Sequence, residues 1–179
     1  IKQCLVGSEM CIRDSSRPVW NEEILGFLAG PTVEKRLTAG AANGEYTTAG
    51  AIAQGIEAAK TAIDALGKSA VDVVVPATEA IAQYPAMTLF HVPHVKRTAL
   101  APKQFVDYQS DVTAAGIELS CREGFESIEH VKRYTAMGFG TDQGKLGNIN
   151  GMAITAKALG KTIPETGTTM FRPNYTPVT

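Results

Sequence analysis

The sequence has few cysteines and no long apolar run. Three cysteines, Cys4, Cys11 and Cys121, are too few and too scattered for a disulfide framework or a cysteine-rich zinc site. The longest apolar stretch, 71–77, contains Asp72 and Pro76 and is far shorter than the roughly 20 residues that cross a bilayer. These absences predict a chain of the reducing cytoplasm with no membrane partner.

An excess of either charge is also lacking. The 179 residues include 17 basic and 18 acidic side chains, for a net charge of -1. No global field therefore favours nucleic acid or an anionic membrane, and any anion site must be local. A hydrophobic content of 44% with 20% charged residues is that of a globular chain of one domain or two small ones.

The first fifteen residues match neither a signal peptide nor a transit helix. The stretch 4–15 resembles translated sequencing adapter, so we predict that residues 1–15 are an artefact and not structural. The competing interpretation is a genuine strand around Leu5.

The segment 16–68 predicts a strand, a glycine turn and a helix in that order. A short strand at 36–39 enters the turn at 40–44, and a helix follows at about 47–66, with Gly67 as its C-terminal glycine. One buried stripe is predicted on this helix, formed by Ile52, Ile56, Ala59, Ile63 and Leu66. A helix N-terminus after glycines suits a dinucleotide phosphate, although plain packing explains the same pattern.

The segment 69–104 predicts a linker with short strands at 71–75 and 88–92, and a further strand starts at 105. His91 and His94 have a chelating spacing, but no third ligand is evident, so no metal site is predicted.

Residues 105–163 predict three short helices around one small core. Thr113, Ser127 and Asn148 or Asn150 begin them. The inward-facing residues are Ile117, Ile128, Val131, Tyr134, Met152, Ala156 and Leu159. Cys121 is interpreted as a small core residue and His130 as a solvated one.

The loop 138–145, with sequence GFGTDQGK, joins the second and third of these helices. Its glycines permit close backbone approach, Thr141 and Gln143 supply neutral hydrogen bonds, and Lys145 adds a positive charge near a helix start. Phosphate is the ligand that such a loop suits, although its spacing is not that of a P-loop. A simple surface connection is the alternative.

Four long motifs resemble the alpha subunits of heterotetrameric sarcosine oxidases. They are FVDYQSDVT at 105–113, REGFESIEHVKRYT at 122–135, GTDQGK at 140–145 and TTMFRPNYTPV at 168–178. The resemblance implies an internal fragment of a flavin-dependent amine oxidoreductase subunit. The parent would demethylate sarcosine oxidatively to glycine with tetrahydrofolate and oxygen, in complex with beta, gamma and delta subunits.

The same resemblance implies a fold class. Residues 16–68 resemble the end of an FAD/NAD-binding fold of the pyridine-nucleotide-disulfide oxidoreductase type, where Gly40, Ala41, Asn43 and Gly44 would contribute to an NAD site. Residues 105–163 are similar to the helical domain of bacterioferritin-associated ferredoxin (BFD-like), and residues 164–179 to the start of a folate-binding aminomethyltransferase-like domain. The expected class is therefore α/β plus a small all-α domain.

The ferredoxin-like pattern lacks its four cluster-binding cysteines. Asp107, Gln109, Asp142 and Gly147 stand in their places. These residues are poor or impossible substitutes for thiolate ligands, so no iron-sulfur cluster is predicted.

The resemblance places FMN at the alpha-beta boundary and FAD in the beta subunit. The residues expected near the FMN phosphate or the beta subunit are Thr141, Gln143, Lys145, Thr168, Thr169 and Arg172, and none is expected to be catalytic. The alternatives are a related opine or proline dehydrogenase subunit and a non-catalytic electron-transfer module.

Overall fold

The computed structural model describes residues 18–31, 35–80, 82 and 87–169, so the stretch 1–15 and Arg172 lie outside the described residues. The chain divides into two compact units, Ile1–Met87 and Thr88–Thr179. The architecture is mixed α/β, with short antiparallel strand pairs and five α-helices among the described residues. None of these helices is long and apolar enough to span a membrane.

The first unit opens with a hairpin of two short strands. Strand β1 (Val19–Asn21) pairs antiparallel with β2 (Gly26–Leu28). The rings of Trp20 and Phe27 meet edge to face across the pair, with centroids 5.1 Å apart, a geometry that aromatic pairs favour. The hairpin is thus stabilised on one face by this cross-strand pair.

Helix α1 (Thr48–Ala65) follows a 3-10 turn at Gly40–Asn43. The predicted bounds are confirmed, because the Thr47 hydroxyl accepts a hydrogen bond from Gly50 N–H and Gly67 adopts a positive φ of 69°. The predicted buried stripe is wrong: no residue of α1 is buried, and Leu66 is 73% exposed. The described residues packed against α1 are chiefly those of the preceding turn, which are too few to cover it.

Three predicted strands are wrong. Residues 36–39, 71–75 and 88–92 form no strand, and Val74 is 91% exposed. A strand requires a hydrogen-bonding neighbour, and none of the described residues pairs with these segments. Their β-branched composition alone therefore does not produce a ladder.

The second unit combines one strand pair with four helices. Strand β3 (Phe105–Asp107) pairs antiparallel with β4 (Val112–Thr113), so the strand expected from 105 is confirmed in its first half. The helices are α2 (Ala114–Arg122), α3 (Ile128–Thr135), α4 (Asn148–Leu159) and α5 (Ile163–Thr166). Helix α5 was not predicted. It forms because Thr162 and Glu165 make a capping box.

The helix start signals of this unit are confirmed. Thr113 accepts a hydrogen bond from Gly116 N–H, and Gly124 ends the segment with a φ of 97°. Ser127 occupies the N-cap position of α3 without a side-chain capping bond. Helix α4 begins at Asn148, the first of the two predicted positions.

The core lies where α2, α3 and α4 meet. Most predicted core residues are confirmed as buried, namely Ile117, Ile128, Val131, Met152 and Ala156, and Leu159 is half-buried. Tyr134 is wrong, because it is 47% exposed and stacks on Phe125 with ring centroids 5.0 Å apart. Met137, which was not predicted, is completely buried. Its sulfur occupies the space above Gly151, where a Cβ would come within 2.1 Å.

Two interpretations of polar residues also agree with the structure. Cys121 is half-buried, and burial raises the pKa of its thiol, which keeps it in the less reactive protonated form. His130 is exposed on α3.

Candidate functional site

Asp107, at the end of β3, anchors the loop between α3 and α4. Its Oδ2 accepts a hydrogen bond of 2.7 Å from Gly138 N–H, and its Oδ1 accepts from Gln109 N–H and Ser110 N–H at 2.9 and 3.1 Å. The residue is only 6% exposed. A buried carboxylate that accepts three backbone hydrogen bonds is satisfied by the protein itself.

The positions that resemble cluster ligands occupy one region of this unit. Gln109 Nε2 donates to Thr141 Oγ1 at 3.1 Å, beside Asp142. Asp142 Oδ1 in turn accepts from Gly144 N–H at 3.1 Å. Gly147 lies against β3, since a Cβ on it would lie 3.7 Å from the Asp107 Cα. Protein hydrogen bonds and backbone packing therefore engage these positions.

The space beside glycines 138, 140 and 144 of the loop is filled by side chains of the same chain. A Cβ on Gly138 or Gly144 would come within 2.6 or 2.1 Å of Asn148 Oδ1. A Cβ on Gly140 would collide with the side-chain amide of Gln109. The side chains of Asn148 and Gln109 therefore make the close approach to the backbone that was expected of a ligand.

Asn148, at the start of α4, connects this loop to the segment after α5. Its Nδ2 donates to Thr169 Oγ1 at 2.7 Å and, at 3.4 Å, to the carbonyl oxygen of Gln143. Asn148 and Thr169 are 5% and 6% exposed. Asn148 Oδ1 is buried and has no hydrogen-bond partner among the described residues. Sequence reasoning missed this side chain and treated Asn148 only as a helix start.

The predicted phosphate-site residues have different environments. Thr141 and Lys145 are exposed, whereas Gln143 is half-buried with a positive φ of 53° and donates through Nε2 to Gly140 O. Thr168 is half-buried and Thr169 is buried. The structure brings Gln143 and Thr169 together around Asn148, while Thr141 is bonded to Gln109.

The predicted dinucleotide residues form the 3-10 turn before α1. Gly40 N–H donates to Gln54 Oε1 at 3.0 Å, and Asn43 Nδ2 reaches the same oxygen at 3.4 Å. Gly44 N–H donates to Ala41 O. Two of the backbone donors that a phosphate would require are thus already bonded, while Ala41 and Asn43 are exposed.

A carboxylate lies at the N-terminus of α1. Glu45 Oε1 accepts hydrogen bonds from the Thr47 hydroxyl and, at 2.8 Å, from Thr47 N–H. These bonds hold the pKa of Glu45 below its usual value. A Cβ on Gly50 would collide with the same carboxylate. Glu45 therefore occupies the positive end of the helix, where an external anion would otherwise bind.

The described residues show no metal-binding arrangement. No three His, Cys, Asp or Glu side chains among them lie close enough together to hold an ion. His94 Nδ1 instead accepts a hydrogen bond from Lys96 N–H at 3.0 Å.

The known proteins that this chain resembles are named as oxidase alpha subunits. "Sarcosine oxidase subunit alpha" of Rhizobium meliloti (strain 1021) is 40% identical over 164 residues, covering 90% of this chain and 16% of that protein. The proteins of the same name from Corynebacterium sp. strains P-1 and U-96 are 33% and 32% identical over 89% of this chain. The chain spans only 16–17% of the length of these relatives.

A family model matches most of the second unit. Residues 101–179 match the family model described as the sarcosine oxidase A3 domain. These residues are similar to that domain family, and the resemblance to sarcosine oxidase alpha subunits is confirmed over about 90% of the chain.

Proposed function

We propose that this chain is part of the alpha subunit of a cytoplasmic sarcosine oxidase and that its second unit contacts the FMN phosphate, or the beta subunit beside it. Support comes from the match of residues 101–179 to the A3 domain and from the similarity to proteins named sarcosine oxidase subunit alpha. The parent enzyme would demethylate sarcosine oxidatively, with tetrahydrofolate and oxygen as co-substrates. Methylenetetrahydrofolate, glycine and hydrogen peroxide would be the products.

One observation carries the phosphate contact. Asn148 links Gln143 in the loop to Thr169, so two separate parts of the proposed site meet at one side chain. Thr141 and Lys145 are exposed on the same loop and accessible to a ligand. Hydroxyl donors and a lysine suit phosphate, and Arg172 would add a guanidinium able to pair with it bidentately.

The described geometry restricts how phosphate could bind. Because Asn148 and Gln109 fill the space above the loop glycines, a phosphate would be held by side chains instead of by a backbone cradle. In this proposal Thr141, Thr168 and Lys145 would hold the phosphate, with Thr169 oriented by Asn148. When bound, FMN would supply the electron-transfer chemistry.

The remaining assignments follow from the family resemblance. The second unit would have the BFD-like helical fold without its cluster, with FAD in the beta subunit and gamma and delta subunits completing the heterotetramer. The first unit would be the end of an FAD/NAD-binding fold, in which exposed Ala41 and Asn43 face the dinucleotide. Gly40 and Gly44 would shape the turn through their positive φ angles. We assign no catalytic residue to this chain.

The phosphate contact is tested with Lys145→Ala in the full alpha subunit, assembled with its partner subunits. We expect FMN retention after dialysis to fall several-fold, because one charge contact to phosphate contributes about 1 kcal/mol or more. Lys157→Ala is the matched control, since Lys157 is an exposed lysine in the last turn of α4. Equal FMN content in both variants and the parent would contradict the Lys145 assignment.

A further inference from the structure

A side chain of the protein fills the space beside two of the loop glycines. Asn148 Oδ1 lies so close to Gly138 and Gly144 that a methyl group on either would meet it at 2.6 or 2.1 Å. Both glycines have positive φ angles, of 72° and 73°. Each glycine therefore satisfies two requirements, a left-handed backbone and room for Asn148.

The hydrogen bonds of Asn148 reach across the second unit. Its amide connects to Thr169, 21 residues later in the chain, and to the carbonyl of Gln143. Its own backbone N–H donates to Gly144 O at 2.9 Å. One residue thus contacts the loop at Gly138, Gln143 and Gly144 and also fixes the hydroxyl of Thr169.

This arrangement leaves a buried acceptor without a hydrogen-bond donor. Asn148 Oδ1 has no partner among the described residues although the residue is 5% exposed. An unsatisfied buried oxygen opposes folding. A leucine or alanine at the helix start would avoid that cost, but neither could bond Thr169 and Gln143.

We propose that Asn148 is a positioning residue that holds the 138–147 loop and Thr169 in a single arrangement. The inference concerns the protein's own conformation, and it rests on the proposed function only for its consequence, the orientation of Thr169 toward phosphate. Asn148 touches no ligand in this scheme and acts through Thr169 and the loop.

The test compares Asn148→Ala with Thr155→Val in the full alpha subunit. Thr155 is a matched control, because it lies on the same helix, is completely buried and donates its hydroxyl to Gly151 O at 2.8 Å. We expect Asn148→Ala to accelerate amide hydrogen exchange at Gly138 and Gly144 about fivefold or more relative to Thr155→Val. Equal exchange in the two variants would overturn the proposal.

A second measurement covers the case in which Asn148→Ala unfolds broadly. The decrease in melting temperature caused by Gly144→Ala is measured in the parent and again in the Asn148→Ala variant. Without the asparagine the steric clash disappears and only the strain of positive φ remains, so the cost should fall by at least about half. An unchanged cost would show that Asn148 does not determine the conformation at Gly144.

Flavin retention separates this inference from the proposed function. Faster exchange at the loop together with reduced FMN retention would support both. Faster exchange with FMN retention unchanged would keep Asn148 as a positioning residue and overturn the proposed contact of Thr169 with phosphate.

Discussion

At the residue scale, Gly147 is constrained by facing backbone and not a side chain. A Cβ at this position would lie 2.3 Å from the carbonyl oxygen of Val106 in β3. Backbone cannot move aside as a flexible side chain does, so any larger residue must separate the start of α4 from β3. The φ of Gly147 is -100°, which makes the constraint purely one of space.

We therefore expect Gly147→Ala to lower the free energy of unfolding by about 1–3 kcal/mol, as overpacking does. Gly116→Ala is the control, because its Cβ would make only an ordinary contact, 3.6 Å from Thr113 Oγ1. That change should be neutral or stabilising by about 0.5–1 kcal/mol, since alanine is the better helix former. Urea denaturation followed by circular dichroism measures both, and similar midpoints would contradict the prediction.

A second expectation at this scale concerns the Cys121 thiol. Burial raises its pKa in the folded chain, with a smaller contribution from nearby Glu118. The thiol therefore loses its proton at a lower pH in the unfolded chain, near about 8.5, than in the folded chain. The contribution of the buried thiol to the free energy of unfolding is fully present below that pH and declines above it.

In a chain with Cys4→Ser and Cys11→Ser, we expect alkylation of Cys121 at pH 8 to be at least about tenfold slower than in the same chain unfolded in urea. Mass spectrometry of the iodoacetamide adduct follows the reaction. Equal rates in the two states would show that the thiol is not protected.

At the scale of the element, helix α1 depends on its N-terminal cap. Hydrogen bonds from Thr47 lower the pKa of Glu45, so the cap contribution is present above the ordinary carboxyl pKa of about 4.3 and is lost as the pH falls below it. We expect the helical ellipticity of the parent chain to fall between about pH 5 and 3. Glu45→Gln should reduce this dependence, with the part that remains coming from Glu165 in the capping box of α5. Glu57→Gln, on the exposed surface of α1, should leave it intact.

Helices and strands differed in how well the sequence predicted them. Start signals at Thr47 and Thr113 act within one helical turn, so they could be read locally and are confirmed. The β-branched run at 71–75 needed a partner strand, which no local pattern specifies, and the described residues supply none. The two-residue strand β4 was missed because it forms only by pairing with β3.

The candidate site shows the same difference. Thr141, Gln143 and Lys145 stood out because glycines, hydroxyl groups and a lysine are close together in the sequence. The role of Asn148 depends on Thr169, Gly138 and Gly144, which reach it through the packing of the loop and α4. Similarly, Met137 follows the left-handed residue Ala136, whose turn redirects the chain into the core. Neither contact has a local sequence signal.

At the scale of the whole molecule, we consider the four positions at which the ferredoxin resemblance would place cysteines. Asp107 accepts three backbone hydrogen bonds that a cysteine would not replace. Gly147 has no room for a side chain beside Val106. The surrounding backbone is thus adapted to the present residues, and position 147 has no space for a cysteine.

We therefore predict that the combined change Asp107→Cys, Gln109→Cys, Asp142→Cys and Gly147→Cys will not restore a cluster. After anaerobic reconstitution with iron and sulfide, the expected result is substoichiometric iron and no visible absorption bands of a two-iron cluster. The parent chain, treated identically, controls for adventitious iron. Two irons per chain with those bands would mean that β3 moves away from α4 to admit a side chain at position 147. In that case Gly147→Ala should also be tolerated, so the two experiments test the same contact independently.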